Sequence, residues 1–412
     1  MRVLFAGSCS TFFLVPLVQA LKKVDPNFSA SVIGLNNPAG EIQAHEAAVF
    51  AELIPYPSEN ISGSKVERLK ESLKLISKKN GFSKVLKLLA SGQLKSAITN
   101  AETELVQNAN NAEITRLSEP FDLVHVHYLK HSNLKLASNF DARKTLLSFW
   151  GSDLLQDEGD EARALKIELM QKINLITVQN EDLAQIIALK YGWKFKSKIR
   201  TNLFLPNSKV LKSIADSSKE EARAFLNQFG EIENQKKVIV TGYNPNPQSQ
   251  QLEILKQLQQ VSDSEFSKKH HFLFTFIYSK GGQREEMIET VKAMGCSFSI
   301  VDRYLSDHEM GLLRKATDIY LHFPQTDAFS TSLLEHLYAQ NTVVTGSWLP
   351  YGKHRVNEIF FREIESIDEL SNEHLHESEK SQLNTEKINA LIAKEKTAET
   401  WLKIYSEAQI EV

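Results

Sequence analysis

Asp327 and Glu335 are the two side chains of this sequence that carry the clearest chemical signal. They stand eight positions apart, after the apolar run 319–324 and at the start of a helix-forming segment. A strand, a short turn rich in serine and threonine and a helix N-terminus form a site for anions and hydroxyls, because free backbone N–H groups and the helix dipole point at the ligand. Two carboxylates at such a place suit a polyhydroxy ligand that carries a phosphate.

The spacing of this pair resembles that of the acidic pair in retaining nucleotide-sugar glycosyltransferases with the GT-B fold, in the superfamily that includes family 4. The first acid here is an aspartate instead of a glutamate. The resemblance implies that Asp327 and Glu335 are catalytic residues, Asp327 near the transferred sugar and Glu335 on the nucleotide ribose. It also implies that the start of the helix binds the donor phosphates, through Phe329, Ser330, Thr331 and Ser332. A capping aspartate and a satisfied glutamate at an ordinary helix start are the alternative.

A second polar cluster, Trp150-Gly-Ser-Asp153, closes the predicted strand 144–149. It places an aspartate and a serine on a glycine turn beside a large aromatic ring. The motif resembles the His-Gly-Ser-Asp of many GT-B transferases, with Trp150 in place of the histidine. This resemblance implies a catalytic Asp153 and substrate contacts from Gly151 and Ser152, while no role of the family's histidine carries over to Trp150. We expect Trp150 to contact substrate because of its place in this strand-end loop. Alternatively, Asp153 only caps the next helix and Trp150 packs in the core.

The loop that begins at Gly242 reads Gly-Tyr-Asn-Pro-Asn-Pro-Gln-Ser-Gln-Gln and runs directly into a helix-forming segment. A glycine after a strand, prolines that stiffen the loop and amides at a helix N-terminus suit a diphosphate. The loop resembles that of bacterial fucosamine-type transferases. We therefore expect Gly242, Tyr243 and Asn244 to bind substrate.

Most members of the retaining superfamily carry an arginine and a lysine in this loop, and the present chain has neither there. The charge of a diphosphate must then be met by neighbouring strand-end loops. Lys280 and Arg303 are the predicted substrate-binding cations, with Arg284 as a further candidate. Ordinary surface charge is the alternative for each of them.

The loop Gly7-Ser-Cys-Ser follows the first apolar run and precedes the helix-forming segment 11–23. Small residues at this place let backbone N–H groups approach a ligand, or they simply make a tight turn. We predict that Gly7 and Ser8 bind substrate. The loop lacks the second and third glycines of a dinucleotide fingerprint, which argues against NAD or FAD as a cofactor.

His125 and His127 alternate along one predicted strand, so both rings face the same side of the sheet. A pair of this kind suggests a metal site, but no third ligand at a matching spacing accompanies it, which favours structure or contact with an acceptor. No Asp-x-Asp pattern follows a strand to hold a metal–nucleotide complex. We therefore expect no metal ion, and the resemblance implies a nucleotide sugar as substrate, with no cofactor.

The elements that must position these residues are short apolar runs that alternate with helical segments, which is typical of βαβ units on parallel sheets. Ligands of such sheets bind beyond the carboxyl ends of the strands, where all of the loops above lie. The predicted strands are 3–6, 30–35, 123–127, 144–149 and 175–178 in the first half, and 237–241, 272–277, 298–302, 319–322 and 341–345 in the second.

A chain of 412 residues is too long for one ordinary core, and the polar stretch 216–234 separates the two halves. We predict two Rossmann-like domains, at 1–215 and at 235–385. The resemblance implies that the first binds the acceptor, that the second binds the nucleotide sugar, and that the helical segment 386–412 crosses back and packs on the first domain. Two such domains that face each other across a cleft form the GT-B fold, which the resemblance also implies.

The composition limits the partners of the protein. With 48 basic and 51 acidic residues the net charge is −3, which provides no electrostatic case for binding nucleic acid. Only two cysteines are present, which indicates a reducing compartment, and the N-terminal run reads as a strand and not as a signal peptide. No apolar run is long enough to cross a bilayer. We therefore expect a cytoplasmic protein.

Residues 64–95 combine lysines with leucine, isoleucine and phenylalanine in a basic amphipathic pattern. Segments of this kind lie on anionic membranes, so peripheral contact with the inner face of the plasma membrane is one interpretation. A solvated helical hairpin that covers the sheet edge is the other.

Together these features predict a glycosyltransferase that moves a sugar from a nucleotide-sugar donor to a glycan or lipid-linked acceptor. The resemblance places it in bacterial surface polysaccharide biosynthesis, such as that of lipopolysaccharide, O-antigen or capsule, with retention at the anomeric carbon. One alternative is a catalytically silent GT-B module that binds glycan or stabilises a partner transferase. Another is a sugar-nucleotide epimerase or a phosphorylase on the same fold.

Overall fold

The computed structural model of the protein describes most of the chain, including every predicted strand. The residues described are 1–37, 41–55, 69–70, 72–74, 98, 120–156, 158–203, 208–242, 245–277, 282–328, 330–394 and 397–409. Most of the basic segment 64–95 lies outside them, so its two interpretations both stay open. In the part of the chain that is described, no helix is both long and apolar enough to cross a membrane.

The first half of the chain forms a parallel sheet whose seven described strands have the order β3-β2-β1-β4-β5-β6-β7. They are β1 Arg2–Gly7, β2 Ser29–Ile33, β3 Glu52–Ile54, β4 Leu123–His127, β5 Thr145–Ser148, β6 Leu175–Val178 and β7 Ile199–Thr201. The strand order reverses between β1 and β4.

The second half forms a parallel sheet with six described strands in the order β10-β9-β8-β11-β12-β13. They are β8 Lys237–Val240, β9 His270–Thr275, β10 Ser297–Val301, β11 Ile319–His322, β12 Thr342–Gly346 and β13 Arg362–Ile364. Here the order reverses between β8 and β11.

Helices connect the strands and cover both faces of each sheet. They are α1 Thr11–Val24, α2 Ala44–Ala47, α3 His131–Ala137, α4 Ser152–Leu155, α5 Asp160–Lys172, α6 Glu181–Tyr191, α7 Ser208–Asp216, α8 Lys219–Leu226, α9 Gln251–Val261, α10 Ser264–Lys269, α11 Arg284–Ala293, α12 Asp307–Ala316, α13 Thr331–Tyr338, α14 Gly352–Val356, α15 Asn384–Lys394 and α16 Thr397–Ala408. Short 3-10 turns lie at Ala142–Lys144, Trp193–Lys198, Asn227–Phe229, Pro247–Ser249, Ile367–Glu369, Asn372–Leu375 and Glu379–Leu383.

The central strands are apolar on both faces because helices cover them from both sides. All residues of β4, β11 and β12 are buried. The predicted α/β class with two parallel Rossmann-like sheets is confirmed. The sequence did not predict β3, β7 and β13, which are edge strands of three residues each and are too short to show a pattern.

The chain passes between the two sheets twice. Leu203 and helix α7 already pack in the core of the second sheet, although the predicted first domain extends to residue 215. The predicted segment 386–412 holds two helices with different partners. Helix α15 packs on the second domain beside α13, and α16 returns to the first domain beside α1.

Helix α16 fills the core of the first domain with two large rings. Trp401 and Tyr405 are both fully buried among residues of β1, β2 and α1. The Tyr405 hydroxyl lies 3.0 Å from His125 Nδ1, and His125 Nε2 lies 2.5 Å from the Ser148 hydroxyl. Both nitrogens of His125 therefore serve the core, which supports the structural interpretation of this histidine.

Removal of the Trp401 ring should destabilise the protein. We expect Trp401→Ala to lower the free energy of unfolding by about 3–5 kcal/mol, because it leaves a cavity between α16 and the first sheet. Trp193, which is 59% exposed, is the matched control, and Trp193→Ala should cost about 0.5 kcal/mol or less. Urea unfolding followed by circular dichroism measures both. Equal losses for the two variants would show that α16 does not pack as described.

His271 provides a test of stability against pH. It is buried in β9 between the hydroxyls of Ser297 and Ser299, at 3.0 and 2.9 Å, and desolvation by burial lowers its pKa to about 4. The unfolded chain binds a proton at this site near pH 6.5, whereas the folded chain does not. The stability that neutral His271 supplies is therefore complete above about pH 6.5 and is lost as the pH falls towards 4.

We expect His271→Gln to flatten this dependence, by at most about 1.4 kcal/mol per pH unit between pH 6.5 and 4. Unfolding in urea at several pH values measures the slope. His376→Gln is the control, because His376 is exposed. An unchanged slope in His271→Gln would contradict the assignment.

Candidate functional site

A cavity of about 670 Å³ lies between the carboxyl ends of the two sheets. Its walls come from the loops that follow β1, β2, β4 and β5 in the first sheet and β8 and β11 in the second. Four of these strands flank the two places where the strand order reverses. Ligands of open α/β sheets bind at such places, so this cavity is the candidate functional site.

Asp327 lies in the wall that follows β11, and its side chain is 21% exposed. Its Oδ2 accepts a hydrogen bond of 2.6 Å from the Tyr351 hydroxyl. That hydroxyl lies 3.0 Å from His322 Nε2, and His322 Nδ1 lies 2.9 Å from the Tyr320 hydroxyl. Since Tyr351 donates its proton to the carboxylate, its oxygen is left to accept a hydrogen bond from His322 Nε2–H. These buried groups hold the Asp327 carboxylate in one orientation at the cavity wall.

Asp153 holds the opposite wall together from behind. Its Oδ1 accepts from the backbone N–H groups of Trp150 and Gly151, both at 2.9 Å, and its Oδ2 accepts from Leu129 N–H at 2.6 Å. The side chain is 3% exposed and is not among the cavity-lining residues. Burial raises the pKa of the carboxyl, while the three N–H groups favour its charged form. This geometry supports a positioning role for Asp153, and a direct catalytic contact stays a prediction.

Trp150, Gly151 and Ser152 line the cavity, and their contacts with substrate stay predictions. The Trp150 Nε1–H donates to His127 Nδ1 at 3.1 Å, and the indole ring packs against Phe13 with ring centroids 4.7 Å apart. Ser152 shares a hydrogen bond of 2.6 Å with the Tyr128 hydroxyl.

Gly151 adopts a φ of 138°, and an added Cβ would lie 2.6 Å from the Cβ of Ala328 in the other domain. Both the backbone conformation and the close approach require glycine at this position.

Ser8 lines the cavity, whereas Gly7 allows the backbone conformation of the loop. Gly7 has a φ of 93°, and a Cβ there would collide with the His127 carbonyl on the neighbouring strand. The Ser8 hydroxyl accepts from Asn133 Nδ2 at 3.2 Å. The small loop therefore makes a tight turn that brings Ser8 and Ser10 to the cavity.

Gly242 lines the cavity on the second side, with a φ of 112° and a carbonyl that accepts from the Thr275 hydroxyl at 2.7 Å. Its neighbours Tyr243 and Asn244 lie outside the described residues, as do Lys280 and Phe329. Substrate contacts from these four stay predictions.

Glu335 is not among the lining residues of the cavity. Its Oε2 accepts from Arg314 Nε at 3.1 Å, and both side chains are 6% exposed. Burial raises the pKa of the Glu335 carboxyl, and Arg314 opposes that rise. Arg314 Nη1 also lies 3.1 Å from His336 Nε2. The Glu335 carboxylate thus belongs to a buried polar cluster with Arg314 and His336. Its contact with a ribose stays a prediction.

The other predicted phosphate ligands also lie outside the described lining of the cavity. Ser330, Thr331 and Ser332 are half-buried at the start of α13, where the Ser330 hydroxyl caps the helix by accepting from Leu333 N–H at 3.3 Å. Arg303 donates to Glu309 at 2.6 Å on an exposed surface, which favours its interpretation as surface charge.

Several lining residues were not selected from the sequence. Phe12 and Phe13 are 38% and 41% exposed at the start of α1. Lys130 lies in the loop after β4, and His322 ends β11. Two adjacent aromatic residues directly after the Gly7 loop were the available signal for the first pair. A lysine in a strand-end loop was the signal for Lys130.

No protein-family model matches the sequence, and no curated protein matches it either. Solved structures do resemble it. A glycosyltransferase from Rickettsia africae has a TM-score of 0.64 at 12% identity, over 100% of this chain and 99% of that one. HepE from Anabaena, in complex with UDP and glucose, has a TM-score of 0.64 at 12% identity, over 99% and 98%.

A third structure, WaaG, is described as a glycosyltransferase involved in lipopolysaccharide biosynthesis. It has a TM-score of 0.60 at 12% identity, over 98% of this chain and 99% of its own. At these identities the similarity establishes the fold alone. Two Rossmann-like domains facing across a cleft, with a terminal helix that crosses back, form the GT-B fold, and the prediction of that fold is confirmed.

Removal of the Asp153 carboxylate should disorganise the first wall of the cavity. Asp153→Ala leaves three buried N–H groups without their acceptor, so we expect a loss of roughly 3 kcal/mol or more in the free energy of unfolding. Asp153→Asn retains one acceptor oxygen and should lose less. Urea unfolding ranks the two variants. Equal stability of Asp153→Ala and the unchanged protein would contradict the positioning role.

Proposed function

We propose that the protein is a glycosyltransferase that moves a sugar from a nucleotide-sugar donor to a glycan or lipid-linked acceptor. The observation that carries the proposal is the cavity between the two domains. One wall presents Asp327 in a fixed orientation, and the other presents aromatic rings beside hydroxyl groups. A polyhydroxy substrate needs both kinds of wall, since its hydroxyls bind polar groups and its ring faces are apolar.

The donor is assigned to the second domain. Asp327 accepts hydrogen bonds from hydroxyls of the transferred sugar, and the N-terminus of α13 directs its dipole and its first N–H groups towards the phosphates. Glu335 is the proposed partner of the nucleotide ribose and reaches it only if its pairing with Arg314 is rearranged. HepE, which has the same fold, holds UDP and glucose, and this supports a nucleotide sugar as the donor.

The acceptor is assigned to the first domain. Phe12, Phe13 and Trp150 offer ring faces for a sugar, and Ser8 and Ser152 offer hydroxyls at its edge. We assign the acceptor to bacterial surface polysaccharide, and the description of WaaG as an enzyme of lipopolysaccharide biosynthesis supports this choice. The reaction then takes place in the cytoplasm at the inner face of the plasma membrane.

Catalysis in this proposal needs no covalent intermediate on the protein and no metal ion. The bond from the anomeric carbon to the diphosphate oxygen breaks, and a bond to the acceptor oxygen forms on the same face of the sugar. The hydroxyl proton leaves with the diphosphate. The site contributes orientation, which supplies about 7–11 kcal/mol in favourable cases, and stabilises the departing charge.

One observation favours the second candidate, a catalytically silent module that binds glycan or stabilises a partner transferase. Glu335 is engaged in a buried ion pair away from the cavity. A module of this kind binds a glycan in the cavity and turns over no donor.

The proposal is tested with UDP, GDP, dTDP and CMP in a thermal-shift screen, followed by turnover of the corresponding nucleotide sugars. A ligand at 100 times its Kd should stabilise the protein by about 2.7 kcal/mol. Asp327→Asn keeps the size of the side chain and removes its charge, so we expect turnover to fall about a hundredfold or more while the fold survives.

Asp302→Asn is the matched control, because Asp302 follows another strand of the same sheet and is not a lining residue of the cavity. This variant should keep full turnover. A protein that binds none of the nucleotides, yet binds glycan or co-purifies with a transferase, would overturn the proposal in favour of the silent module.

A further inference from the structure

A departing nucleoside diphosphate gains negative charge, and a site for it needs a cation or dipole that contacts it closely. On the second-domain side the described cavity wall contains the carboxylate of Asp327 and no lysine or arginine. The negative charge of Asp327 opposes the binding of a diphosphate, which is also negative. Lys280, which the sequence selected for this role, lies outside the described residues, so a described cation for the diphosphate must come from another part of the site.

The described arginines of the second domain near the site have other partners. Arg303 donates to Glu309 and Gln228, and Arg314 is buried with Glu335. Arg284 pairs with Asp302 at 3.7 Å and lies over the Phe276 ring. None of the three is a lining residue of the cavity.

The described lining contains one cation, Lys130, and it belongs to the first domain. Its side chain is exposed, and its Nζ lies 5.3 Å from the centroid of the Tyr128 ring. In the described part of the chain no carboxylate forms an ion pair with it. The ammonium therefore keeps its charge available to the cavity.

Three hydrogen bonds hold the backbone at and before Lys130 in place. Leu129 N–H donates to Asp153 Oδ2 at 2.6 Å, the Tyr128 carbonyl accepts from Asn133 Nδ2 at 2.6 Å, and Lys130 N–H donates to the Tyr128 carbonyl at 2.9 Å. Tyr128 also adopts a φ of 60°, which is costly for a residue with a side chain. Because this backbone is fixed, the flexible Lys130 side chain is positioned at the cavity without further contacts.

We propose that Lys130 binds the diphosphate of the donor from the acceptor domain and stabilises it as the leaving group. This inference rests on the proposed function. In this arrangement the diphosphate lies between the two domains and contacts the N-terminus of α13 on one side and Lys130 on the other. Donor binding then holds the two domains together around the substrate.

The test compares Lys130→Met, Lys130→Arg and the unchanged protein. Calorimetric titration with UDP, GDP and dTDP, and with the nucleosides uridine, guanosine and thymidine, separates contacts to the diphosphate from contacts to the base and ribose. We expect Lys130→Met to weaken binding of the accepted diphosphate roughly tenfold to a hundredfold and to leave the nucleoside unaffected. Lys130→Arg should retain most of the affinity.

Lys135→Met is the matched control, since Lys135 lies on α3, is exposed and pairs with Glu161 at 3.9 Å outside the cavity. It should leave the binding of every ligand unchanged. In turnover assays, Lys130→Met should also lower kcat, because the charge of the leaving group develops in the transition state.

The outcomes distinguish this inference from the proposed function. Equal diphosphate affinity in Lys130→Met and the unchanged protein would overturn the role of Lys130 and leave the glycosyltransferase proposal intact. A raised KM for the acceptor with unchanged diphosphate affinity would also overturn it and would assign Lys130 to an anionic acceptor. Failure of the unchanged protein to bind any nucleoside diphosphate would overturn both.

Discussion

The candidate site depends on the insertion of Ala328 into the core of the first domain. Ala328 belongs to the loop that carries Asp327, yet it is 5% exposed within the apolar cluster of the first sheet. Its methyl group meets the Cα of Gly151, and its carbonyl accepts from Asn180 Nδ2 at 3.2 Å. The position of the acidic loop is therefore determined by both domains together. Any movement of one domain relative to the other changes the distance between Asp327 and the aromatic wall. Closure of the cleft therefore also sets the geometry of the site.

Buried polar side chains supply the rigidity that this contact requires. Asp153 fixes the backbone of two loops of the first wall, and Tyr351 with His322 fixes the carboxylate of the second. A buried polar group stabilises a single arrangement because every alternative leaves a donor or acceptor without a partner. The result is a cavity whose acidic and basic groups, Asp327 and Lys130, are held on opposite sides. Such a separation suits a ligand with hydroxyls at one end and a charged group at the other.

The sequence was sufficient to predict the fold, because long buried strands leave apolar runs and strand-end loops leave small and polar residues. Of the residues that the sequence selected as substrate ligands or catalytic groups, Trp150, Gly151, Ser152, Gly242 and Asp327 line one cavity, and their contacts with substrate stay predictions. The sequence could not reveal that Asp153 accepts three backbone N–H groups or that Glu335 pairs with Arg314, since carboxylates with such partners and carboxylates that contact substrate look alike in sequence. The hydrogen-bond partners that distinguish these roles are distant in sequence. Leu129 lies 24 positions from Asp153, and Arg314 lies 21 positions from Glu335. Edge strands of three residues were beyond local patterns because they are too short to show one, whereas the return of the C-terminal helix to the first domain was expected from the family resemblance.

The burial of Trp401 in the first domain has a consequence for the synthesis of the protein. The groove that receives it is formed by residues of β1, β2 and α1, which leave the ribosome long before α16 is made. The stretch of chain from β7 to α16 takes roughly 10–40 s to translate at typical rates. During that interval the nascent first domain exposes the apolar groove that Trp401 later fills. The second domain must fold beside this incomplete neighbour, and the core of the first domain is complete only when α16 packs into it.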